Sequence, residues 1–84
     1  MNPYSGVLRE LARAPAEYCM PELSTKLGKL ARAEEVRAEE LREILDACKL
    51  NRSMCHKFVV WVLDNVWRQL LVDEGKEIPE KEQL

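Results

Sequence analysis

Three cysteines and one histidine are the residues of this 84-residue chain best suited to metal or reaction chemistry: Cys19, Cys48, Cys55 and His56. A structural zinc site shows paired ligands, typically two cysteines two to four residues apart with a second pair further on. Here the spacing is Cys-x6-Cys-His, which is not that pattern. A cysteine nucleophile with His56 as its base fails on geometry. Neighbouring residues on a helix point about 100° apart, so Cys55 and His56 do not face each other. Cys48 and Cys55 fall instead on apolar faces, where a buried cysteine behaves as a small hydrophobe. The chain contains no glycine-rich phosphate loop, Ser-His-Asp set or paired-carboxylate cleft. The expectation is no metal, no cofactor and no enzymatic activity.

One carboxylate stands in an unusual place. A helix running from residue 22 to 49 puts Glu34 at the centre of its apolar stripe, between Leu30 and Leu41. A buried carboxylate without a donor is expensive. In an antiparallel hairpin closed at residues 50–53, Glu34 lies opposite Trp67 to Gln69. The Trp67 indole N–H or the Gln69 amide can then satisfy it, as a register-setting contact. The other reading is that this part of the helix overhangs the core and Glu34 is wet.

The elements that position these residues are helical. Asn2 is a suitable cap and Pro3 a suitable first helical residue; Tyr4, Val7, Leu8 and Leu11 follow at helical spacing. Pro15 ends this first helix, placed at about residues 3–14, through lost donation and steric clash. A second helix spans about 22–49, with Leu23, Leu27, Leu30, Ala31, Ala38, Leu41, Ile44, Leu45 and Cys48 on one face. Its middle holds a five-residue repeat, Arg32-Ala33-Glu34-Glu35-Val36 then Arg37-Ala38-Glu39-Glu40-Leu41, built of strong helix formers. Gly28 is a weak point, costing about 1 kcal/mol against Ala in a helix interior; it marks close packing or a break.

The third helix covers about 54–74 and stops at Gly75. Residues 57–63 are rich in β-branched and aromatic side chains. The 3.6-residue period nevertheless continues through Leu70 and Leu71, and no second strand is available to pair with them. Cys55, Phe58, Val59, Val62, Leu63, Val66, Trp67 and Leu70 form the main apolar face. Met54, Trp61 and Val72 fall roughly opposite it, Val60 and Leu71 lie on a flank, and only a narrow strip of Lys57, Asp64 and Arg68 is polar. A helix apolar nearly all round is usually buried nearly all round. One partner helix cannot cover it, and the short first helix covers only part. The alternative is that helix one or the connector at residues 18–20 folds back over Trp61 and completes a monomeric three-helix core.

The expected fold is therefore all-α: one domain over residues 1–75, a short N-terminal helix and a long antiparallel hairpin, dimerising as a helical bundle. Residues 76–84 read as a loose charged tail. The dimer or partner interface falls on Met54, Phe58, Trp61, Asn65 and Val72, because exposed apolar patches mark interaction sites and Trp is enriched among hot spots. A second binding face is the charged outer side of the middle helix, with Arg32, Glu35, Arg37, Glu39 and Glu40.

Composition fits a small folded chain, 46% apolar and 33% charged. A chain of this length hides a small share of its surface and is often stabilised by association. The net charge of −2 gives no global attraction to nucleic acid or anionic lipid. Three unpaired cysteines, no signal-peptide pattern and no apolar run long enough to cross a bilayer suggest a cytoplasmic chain. The stretch Glu22–Leu30 resembles the first helix and glycine turn of a helix-turn-helix, which implies a small DNA-binding regulator as the alternative. After Gly28 that resemblance deteriorates, since Glu34 and Glu35 stand where an apolar anchor belongs and phosphate backbones favour positive charge on the docking helix. The motif-free helical design is similar in style to small accessory and inhibitory proteins of phages and mobile elements. The function expected is protein–protein recognition, as an adaptor or inhibitor of a larger protein partner.

Overall fold

In the computed structural model, residues 2–13, 21–50 and 57–80 are described. Among them are four helices and no strand: α1 (Ser5–Arg13), α2 (Pro21–Arg32), α3 (Ala38–Leu50) and α4 (Lys57–Asp73). α1 packs against α2, and α3 against α4. Both pairs run antiparallel. Ser24 Oγ at the start of α2 donates to Ala12 O at the end of α1, at 2.6 Å. The start of α3 likewise meets the end of α4, where Ala38 N donates to Glu74 Oε2 at 2.7 Å.

Every helix supplies leucine, or valine beside it, to one core. Leu8, Leu23, Leu27, Leu41, Leu45, Leu63, Val59 and Cys48 are its largest fully buried side chains. Each such leucine stabilises the fold by roughly 1.5–3 kcal/mol when removed from water. The body is flattened, 33 × 31 × 16 Å between Cα atoms, so broad helix faces remain uncovered.

The single helix expected over 22–49 is two. α2 stops at Arg32, residues 33–37 are irregular, and α3 restarts at Ala38. Helix propensity alone favours continuation here, so the break has to be imposed by tertiary contacts. Asn2, itself buried, donates its side-chain amide to Leu30 O at 2.9 Å and to Ala33 O at 2.7 Å. One is a carbonyl of the last turn of α2 and the other lies just past its end, and a continuing helix would need both. On the other side, Glu74 takes the Ala38 N–H, and Glu40 Oε1 accepts from Arg37 N at 3.2 Å in the manner of a capping box. The break also resolves the misplaced carboxylate. Glu34 swings out to solvent and Val36 turns in to the core.

The outer helices end much as their sequences imply. Asn2 Oδ1 caps α1 by accepting from Tyr4 N at 3.0 Å. Gly75, at φ 70°, closes α4 with Gly75 N donating to Val72 O at 3.0 Å and Lys76 N to Leu71 O at 2.9 Å. This is the paired bonding that a left-handed glycine permits. The tail is not wholly loose. Residues 76–80 have no regular structure and are exposed, but Arg68 donates to Pro79 O at 2.5 Å and to Glu80 O at 3.2 Å. Residues 81–84 lie outside the described residues.

Tyr4 completes the corner by donating its hydroxyl to Asp73 Oδ2 at the end of α4. Burial first, and then the hydrogen bond and charge of Asp73, raise its pKa from 10.0 to about 12. The folded state thus prefers the neutral phenol. Its contribution is complete below pH 10 and is lost as pH rises through about 12. Denaturation midpoints should fall over that window, and Tyr4→Phe should flatten the fall; an unchanged alkaline slope would remove Tyr4 from the account. Asn2→Ala should cost roughly 2 kcal/mol in urea unfolding, since it strips caps from two helices. Asn2→Asp keeps the acceptor but loses both donors, so it should be no milder than Asn2→Ala. A fully tolerated Asn2→Asp would show that the α2 carbonyls do not depend on it.

Candidate functional site

α4 is the most apolar of the helices, and its two sides differ in fate. Val59, Val60, Leu63, Val66, Trp67, Leu70 and Leu71 are buried. Phe58, Trp61 and Val72 are each 50% exposed, and Asn65 lies exposed between them. The steps from 58 to 61 to 65 are three and four residues, and 72 follows seven later. That is the spacing of a seam on which a second helix can lie. At 1.5 Å per residue the stripe is about 21 Å long. Phe58 and Trp61 form a tilted ring pair, with centroids 6.4 Å apart and planes at 37°. The Asn65 side chain donates back to Trp61 O at 2.9 Å, which leaves its amide oxygen and second N–H able to bond elsewhere.

Beside the stripe is a charged array whose Asp64–Arg68 pair is largely buried. Asp64 is buried and accepts from Arg68 Nε at 2.9 Å, with side-chain exposures of 8% and 16%. Pairing is what makes a carboxylate tolerable there. Both the Arg68 and Arg42 guanidiniums lie against the Trp67 ring, 5.6 and 4.6 Å from its centroid. Arg42 is in turn held by Asp46 at 2.9 Å. Trp67 is therefore structural, with its face covered by two cations, a contact worth about 0.5–2 kcal/mol each.

Several sequence expectations change. Phe58, assigned to the main apolar face, is half exposed, while Val60 and Leu71, assigned to a flank, are buried. The buried arc is rotated because α4 is covered by more than α3. The Asn2–Tyr4 segment closes on its C-terminal end, where it lines a hollow with Leu70 and Asp73. Asp64 belongs to the buried side rather than to a solvated strip. Glu34 is exposed, as is Gln69, which donates to Asp73 Oδ1 at 3.3 Å rather than meeting Glu34. The register-setting trio of Glu34, Trp67 and Gln69 does not form. Arg32, Glu35, Arg37, Glu39 and Glu40 are all exposed, but the break at 33–37 splits them, so they do not share one helix face.

Cys48 is fully buried in the core, while Cys19, Met54, Cys55 and His56 lie outside the described residues. Among the described residues no three His, Cys, Asp or Glu side chains come together as metal ligands. No helix there is long and apolar enough to cross a membrane. Gly28 sits within α2, so the glycine turn of the helix-turn-helix comparison is absent at that position.

No protein-family model, curated protein or solved structure matches this chain. The division of α4 can be tested without a partner. At the lowest workable protein concentration, Phe58→Ser and Trp61→Ala should shift stability by no more than about 0.5–1 kcal/mol. Trp67→Ala should cost about 3–5 kcal/mol. Comparable losses at Trp61 and Trp67 would place Trp61 in the core.

Proposed function

We propose that this protein is a non-enzymatic recognition module that pairs with a second copy of itself through the outer stripe of α4. The observation that carries the reading is the half-exposed Phe58–Trp61 ring pair, aligned with Val72 along one seam. Large exposed aromatics in register are unusual on a small monomer and frequent in interfaces. Asn65 lies midway between Phe58 and Val72. An antiparallel pairing centred on it sets Phe58 of one copy against Val72 of the other. The two Asn65 amides then meet on the two-fold axis, the same patch being used by both copies. A lone Asn in such a seam fixes register at some cost in stability.

A dimer of this kind leaves the α1–α2 hairpin and the ends of α2 and α3 free for a larger protein partner, which is the adaptor or inhibitor role. Light scattering at two concentrations should give a mass near twice the 9.8 kDa chain. Trp61→Glu should give the single-chain mass with unchanged helical circular dichroism. A wild type that stays at the single-chain mass, or a Trp61→Glu variant that remains dimeric, would sink the homodimer.

A further inference from the structure

The α1–α2 hairpin carries a second surface of different chemistry. An open groove crosses it, lined by Arg9, Arg13 and Arg32. Its floor is made of small residues, Ala12, Gly28 and Ala31. The Arg32 guanidinium passes over Gly28: a Cβ at that position would lie 3.3 Å from Arg32 Nη1. The guanidinium thus folds back along α2 toward the groove floor.

The three guanidiniums are weakly engaged. Arg9 reaches only Ser5 Oγ, at 3.4 Å. Arg13 is 3.6 Å from Glu10, both side chains being 73% exposed, a pair worth little in water. Among the described residues Arg32 has no ion pair. No carboxylate among the described residues lines the groove. Charge is also divided along the chain. Residues 1–33 hold five Lys and Arg against three Glu, while residues 34–84 hold eight against twelve Asp and Glu.

We propose that this groove docks a short acidic segment of a partner protein, with its carboxylates held by Arg9, Arg13 and Arg32. The planar guanidinium fork matches a carboxylate through two parallel hydrogen bonds. From Ser24 to Arg32 the floor runs about 12 Å at the helical rise, room for about four residues of extended chain. A long phosphate backbone continuing past the groove meets the net-negative α3–α4 half, whereas a short segment does not. The surface is separate from the Trp61 stripe, and the proposal does not depend on the dimer.

The probe is a fluorescein-labelled decamer of glutamate, titrated with the full chain and read by anisotropy. Binding should weaken severalfold between about 50 and 300 mM NaCl, as screening requires. The Arg9→Gln/Arg32→Gln variant, which keeps side-chain length, should bind about tenfold or more weakly. Arg37→Ala/Lys57→Ala, which removes the same charge elsewhere, should bind as the wild type does. Equal affinity for the groove variant and the wild type overturns the proposal. So does a single-stranded oligonucleotide of equal length that binds more tightly than the peptide.

Discussion

The termini of four helices meet at one corner of this molecule, and the hydrogen bonds there determine how its two hairpins fit together. A helix end leaves unpaired backbone donors or acceptors that need partners once buried. Asn2 serves two ends at once, accepting from the start of α1 and donating to the end of α2. Glu74, carried past the end of α4, supplies the start of α3. Tyr4 on Asp73 joins the first hairpin to the second. The leucine core beneath is permissive in detail, because apolar side chains of similar volume exchange at modest cost. Directional polar contacts fix the arrangement that the apolar core alone leaves loosely specified.

That corner explains where sequence reasoning succeeded and where it failed. The start of α1 and the stop of α4 were legible because their signals are local: Asn2-Pro3 at one end, Gly75 at the other. The break at 33–37 was not, because its caps come from 28, 31 and 36 residues away. One local clue existed. Val36 and Leu41 hold equivalent places in a five-residue repeat, and five residues turn a helix by about 140° beyond a full circle. A helix covered along one narrow stripe does not bury both, yet both are buried. The half-exposed ring of Phe58 was hidden for a related reason. A helical wheel reports which residues share a side but not how far neighbours rotate the covered arc.

The two candidate surfaces divide the physics of recognition between the hairpins. The α4 stripe is apolar and works by area removed from water, which salt does not screen. The arginine groove is electrostatic and open to solvent, so ions weaken it. A flattened body of 33 × 31 × 16 Å gives both surfaces room without overlap. Asp64 and Arg68 mark the border on α4, a buried pair beside an exposed seam. Glu74 shows the same economy. Its carboxylate is held below the ordinary value chiefly by the Ala38 N–H, with Lys76 assisting.

Arg68 grips the chain beyond α4 by the carbonyl oxygens of Pro79 and Glu80, and not by their side chains. Every amino acid carries that oxygen. The path of the tail is therefore insensitive to what is written along it, and substitutions there can change outward chemistry while leaving the anchoring bonds intact. Such a segment is a place where lineages can diverge in what they present to their surroundings without disturbing the helices that hold it.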